Sequence, residues 1–117
     1  MGNPVVHFEI SGRDSAKLGE FYSGLFGWTI DSNNPMNYGL VHTGEEGGID
    51  GGIGQSDESW VTFYVQVDDP QKYLDEAVKR GGRVVRPVDS GGPVVTAAFA
   101  DPEGHMIGLV KLLEPVA

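Results

Sequence analysis

Residues 5–10 alternate as a half-buried strand, with Val6, Phe8 and Ile10 on one side and Val5, His7 and Glu9 on the other. Residues 60–67 repeat the device: Val61, Phe63, Val65 and Val67 form an apolar face, with Trp60, Thr62, Tyr64 and Gln66 opposite. A helical period follows each strand. In "DSAKLGEFYSGLFG", Leu18, Phe21, Tyr22 and Leu25 share one side, Asp14 is placed as N-cap and Gly27 as the stop. "DPQKYLDEAVKRGG" has the same plan, with Asp69 as cap, Pro70 in the first turn and Gly81 and Gly82 at the end.

Three strand-like runs complete each half, at 28–31, 38–42 and 49–54, then at 83–88, 95–99 and 106–112. An offset of 55 residues, the separation of His7 from Thr62, also superposes Asp14 on Asp69 and Gly27 on Gly82. An internal repeat decides the architecture. The pattern is βαβββ twice, which predicts an α+β fold with one module at about 4–57 and a second at about 59–113 of a single domain, 1–117. The apolar strand faces belong under the helices, and the faces carrying His7 and Thr62 are expected to curve around a central cavity.

Composition narrows the function classes. The chain has 117 residues, enough for one self-supporting core. It has no cysteine, which removes disulfides, thiolate ligands and Cys nucleophiles and suits a reducing compartment. A net charge of −9 opposes phosphate and makes nucleic acid a poor partner. Only "VKRGGRVVRP", residues 78–87, gathers four cations; it reads as solvated charge at a helix end, where it suits the macrodipole, ahead of an anion site. No apolar run approaches the roughly 20 residues of a membrane span, and "MGNPVVHFEI" lacks the pattern of a secretory signal, so a cytoplasmic protein without a membrane partner is expected. "GEEGGIDGGIG" lacks the Lys and helix start of a phosphate loop; it reads as a flap, or as a turn whose glycines permit close approach. "SGGP", residues 90–93, reads as a second flap.

The segments "HFEISGRDSAKLGEFYSGLFGW", "GGIDGGIG", "FYVQVDDPQKYLDEAVKRGGRVVRP" and "AFADPEGHMIGLVK" resemble the vicinal oxygen chelate superfamily of glyoxalases, bleomycin-resistance proteins and dioxygenases. The resemblance implies paired βαβββ modules and a homodimer. It also implies where metal-using members keep their ligands: a His on the first strand of each module and a carboxylate on the last. His7 matches the first position, whereas Thr62 stands at the second, Gly108 at the last strand, and Gly52, or Ile53 if the ungapped offset holds, at its counterpart. One imidazole holds a divalent ion weakly. No cofactor is therefore expected; the alternative is a divalent metal at a rebuilt site around His7, with His42 and Asp50 or Glu46.

The candidate catalytic residues are His7 as acid or base, with Glu9 or Tyr64 assisting. His7 also reads as a vestige bonded within the cavity, and Glu9 reads more readily as a solvent-facing carboxylate at the sheet rim. Trp60, Thr62, Gln66 and Gly108 are the candidate substrate-binding wall, aromatic and polar as a small organic ligand requires, although Trp60 equally suits a dimer contact. His42 and His105 read as structural or solvated. The expected partner is a small organic molecule. Function divides between a metal-independent glyoxalase-like lyase or isomerase and a binding protein, with a metal-dependent lyase or isomerase and a bleomycin-resistance-type sequestering protein as alternatives.

Overall fold

Capping chemistry sets the helix limits. In the computed structural model, which describes residues 2–35, 37–44 and 47–111, helix α1 (Ser15–Phe26) starts where Asp14 Oδ1 accepts from Lys17 N at 3.0 Å. It stops at Gly27, whose φ of 72° lets its N–H reach Ser23 O. Helix α2 (Pro70–Lys79) begins with the proline and is capped by Asp69, which accepts from Lys72 N at 3.3 Å. Gly81, at φ 100°, turns the chain out of it.

Around these helices run β1 (Val5–Gly12), β2 (Thr29–Asp31), β3 (Gly39–His42), β4 (Gly51–Gln55), β5 (Trp60–Gln66), β6 (Arg83–Asp89), β7 (Val95–Ala100) and β8 (Met106–Lys111). The order is βαβββ twice, an α+β fold, as the alternation predicts. Leu112, expected to end the last strand, lies outside the described residues.

The chain divides into two compact units, Val6–Thr62 and a second made of Phe63 onward with the segment up to Val5. In the first, strands run β2-β3-β4-β1, with β1 parallel to β4 and the other neighbours antiparallel. In the second they run β5-β8-β7-β6, with β5 parallel to β8. Each module thus repeats the other's topology. The first unit closes on Val41 and Ile53, the second on Val67, Leu74, Ala97 and Leu109.

Register settles one ambiguity. Glu9 stands beside Gly52 and Tyr64 beside Gly108, so the offset is 55 on the first strand of each module and 56 on the last. The second module has one more residue between these strands, and Gly52, not Ile53, is the counterpart of Gly108.

Two packing expectations are corrected. Val61 is 75% exposed and Phe63 40%, whereas Thr62 and Tyr64 on the opposite face are at 4% and 7%. Helix α2 lies against β6, β7 and β8, so the apolar face of β5 is covered only towards Val65 and Val67. Similarly, α1 buries none of its residues, leaving Phe21, Leu25 and Phe26 at 58–60% exposure. It rests on β2 and β4, and its aromatic contact is local: the Tyr22 ring stacks on Trp28 at 5.5 Å between centroids.

Candidate functional site

Alternation along β1 puts His7 and Glu9 on one face, and the first unit builds a hydrogen-bonded chain on them. Tyr38 Oη donates to Glu9 Oε2 at 3.0 Å and stands 3.1 Å from His7 Nε2. Trp60 Nε1 donates to the other carboxylate oxygen, Oε1, at 2.9 Å. Glu9 is 9% exposed. The reading of Glu9 as a solvent-facing rim carboxylate is therefore corrected: a buried charge needs donors, and Tyr38 and Trp60 supply them.

Tyr38 precedes β3, and local chemistry holds it there. Asn34 accepts from Tyr38 N at 3.0 Å and donates to Tyr38 O at 2.7 Å, closing a tight loop that carries Asn37 at φ 51°. The ring lies on Gly52: a Cβ at that residue would land on the Tyr38 ring and hydroxyl. Sequence reasoning missed Tyr38, because its approach to His7 depends on the β3–β4 pairing. The signal for it was the glycine, which leaves room beside Glu9.

With the Tyr38 proton directed to Glu9, the Tyr38–His7 contact is a hydrogen bond in the tautomer that carries its proton on His7 Nε2. Burial lowers the His7 pKa below the usual imidazole value, and the Glu9 and Asp50 carboxylates partly offset this. Burial thus favours the neutral imidazole, while the adjacent Glu9 carboxylate favours the protonated form.

The other expected site residues are placed differently. β5 supplies Trp60 and Thr62 to the first unit, Tyr64 and Gln66 to the second. Within the second, the Tyr64 ring lies over Gly108, where a Cβ would strike it, and Tyr64 Oη accepts from Arg86 Nη2 at 2.9 Å. The Gln66 backbone N–H is tied to Pro4 O at 2.9 Å.

The remaining histidines serve turns. His42 Nδ1 lies 3.4 Å from Asp50 Oδ2, both exposed, while Thr43 N donates to Asp50 Oδ1. That backbone N–H, and then His42, hold the Asp50 carboxyl below its usual range. His105 folds back on Asp101, with Nδ1 3.0 Å from Oδ2, and its N–H is the main reason the Asp101 carboxyl is also lowered. Glu46 lies outside the described residues. Among the described residues no group of three or more His, Cys, Asp or Glu is placed to hold a metal ion. Among the described residues no helix is long and apolar enough to cross a membrane.

Comparison with known proteins agrees with this architecture. A glyoxylase-like domain-containing protein of Didymella fabae is 29% identical over 119 residues, spanning 86% of this chain and 91% of that protein. A hypothetical protein from Bacillus halodurans has the same fold at a TM-score of 0.72 and 12% identity, covering 100% of this chain and 99% of its own. Methylmalonyl-CoA epimerase from Mycobacterium tuberculosis shares it at a TM-score of 0.67 and 16% identity, over 94% of this chain and 88% of that one. The glyoxalase-like domain family model matches residues 7–110, nearly the whole described chain. The chain therefore belongs to the glyoxalase-like domain family.

Proposed function

We propose that this protein is a proton-transfer enzyme, an isomerase or lyase acting next to a carbonyl of a small organic molecule, with His7 as base and no resident metal. The observation that carries the reading is the line Glu9 Oε2, Tyr38 Oη, His7 Nε2, with steps of 3.0 and 3.1 Å. Sequestering a ligand needs no such relay. An imidazole backed through a hydroxyl by a buried carboxylate suits general-base catalysis.

The chemistry follows from the tautomer. His7 Nδ1 takes the substrate proton; the imidazolium keeps its Nε2–H on Tyr38 and is stabilised by the Glu9 charge behind it. Trp60 fixes Glu9 by its second oxygen, so the relay is oriented before substrate arrives. Returning the proton to another position gives isomerisation, and loss of a neighbouring group gives elimination. The methylmalonyl-CoA epimerases among proteins of this fold are consistent with such a reaction class.

The metal that the superfamily implies does not fit these residues. His7 Nε2 is engaged by Tyr38, the Tyr38 ring fills the space at Gly52, and the Tyr64 ring fills it at Gly108. No step is routed through an ion. The apolar side of α1, with Phe21, Leu25 and Phe26 exposed, supports pairing with a second copy.

The test is deuterium wash-in. Carbonyl acids and thioesters are incubated with chelator-treated protein in D2O and followed by proton NMR. Exchange at a carbon next to a carbonyl, lost in His7→Gln, is the expected result. Exchange unaffected by that substitution, or abolished by chelator and restored by a divalent ion, overturns the reading.

A further inference from the structure

Three of the four cations in residues 78–87 are exposed: Lys79 closes α2, Arg80 pairs with Glu76 at 2.8 Å, and Arg83 opens β6. Arg86 is not. Across the second unit's sheet, Tyr64 stands beside Gly108, Gly108 beside Ala98, and Ala98 beside Arg86. No side chain larger than a methyl group separates the ends of this row, and the Arg86 guanidinium reaches Tyr64 Oη at 2.9 Å.

A register shift makes the row. Val84 pairs with Phe99 but Arg86 with Ala98, so two residues of β6 oppose one of β7. This bulge turns Arg86 onto the face of Ala98, Gly108 and Tyr64, where plain alternation would leave it on the face of Phe99. The first unit carries Asp31 at the corresponding end of its row, after Glu9, Gly52 and Leu40. The cation is thus peculiar to the second module.

Folding gives little reason for it. A guanidinium stays charged at any ordinary pH, and Arg86 joins none of the ion pairs formed among the described residues. Its Nε is buried without an acceptor. A buried donor left unmatched costs stability, and an apolar side chain would fill the position without that cost. An anion from outside the chain would match the charge of this half-buried side chain.

We propose that Arg86, oriented by Tyr64, is a binding site for a carboxylate group of a small organic molecule. One guanidinium offers one positive charge in a planar fork that matches two carboxylate oxygens. A polyanion is disfavoured by the chain's net charge of −9. Tyr64 is a positioning residue here, seated by Gly108 so that its hydroxyl fixes the fork. The site stands on the second unit alone and does not depend on the proton-transfer reading of the first.

The test uses arginine side-chain Nε–H signals of the whole protein in proton–nitrogen NMR. Sodium benzoate is titrated at constant ionic strength, with benzamide as neutral isostere, and sodium chloride and inorganic phosphate as further arms. One signal, absent in Arg86→Gln, is expected to move saturably with benzoate and not with benzamide. Benzoate affinity should fall at least tenfold in Arg86→Lys, which keeps the charge but not the fork. Equal movement with benzamide or chloride, tighter binding of phosphate, or undiminished benzoate binding in either variant overturns the assignment. Arg86→Met supplies a second readout: a melting temperature no lower than that of the parent, with the benzoate-induced rise lost. A melting temperature that falls while the rise persists assigns Arg86 to structure alone.

Discussion

The Tyr38 ring rests directly on Gly52, and this contact sets the hydroxyl between Glu9 and His7. A methyl group at residue 52 would occupy the place of the ring. Gly52→Ala is therefore expected to displace Tyr38, with a loss of about 1–3 kcal/mol from overpacking and of His7-dependent exchange. Gly24 is the control: it lies on α1 with nothing near its Cβ direction, so Gly24→Ala should stabilise by about 1 kcal/mol through helix propensity. Urea denaturation of both variants checks the opposite signs.

Tyr38→Phe keeps the ring on Gly52 but removes the hydroxyl. Glu9, 9% exposed, loses one of its donors, a cost of about 1–2 kcal/mol. The relay is interrupted while Trp60 still holds Oε1. Exchange activity should fall by at least tenfold with substrate affinity little changed. Parallel losses in affinity and rate would instead make Tyr38 a binding residue.

The pH dependence has a definite sign. The folded His7 pKa lies below its unfolded value of 6.5, so between the two the unfolded chain holds more protons and stability falls as pH falls. Above the unfolded value the contribution is fully retained. His7→Gln should flatten this part of the acid limb in urea titrations. Glu9 raises the His7 pKa by its charge, so Glu9→Gln should move the His7 carbon–proton NMR titration to still lower pH. A rise would show that burial of His7 had been relieved in that variant.

Helix α1 presents Phe21, Leu25 and Phe26 at 58–60% exposure. If a second copy covers them, sedimentation velocity should give a dimer that Leu25→Glu or Phe26→Glu converts to monomer. These exposed positions should cost the monomer less than about 0.5 kcal/mol. Parent protein that remains monomeric at high concentration removes the pairing.

Local rules made much of this legible. Asp14, Gly27, Asp69 and Pro70 act within a few residues of themselves, and the structure places both ends of α1 and the start of α2 where these residues imply. The shared face of His7 and Glu9 is likewise a consequence of strand period. Burial was less legible. Val61 and Phe63 have the hydrophobicity of core residues, yet coverage depends on where a helix lies, and α2 covers only the later part of β5's apolar face.

The amino-acid sequence alone determined the duplicated βαβββ order and the helix caps, because periodicity and residue identity are local properties. Tertiary structure decided that Tyr38 joins Glu9 to His7, that Gly52 rather than Ile53 answers Gly108, and that a bulge turns Arg86 towards Tyr64. Each of these depends on strand register. A slip of one residue exchanges the two faces of a sheet, and the register is set by contacts between segments far apart in the chain.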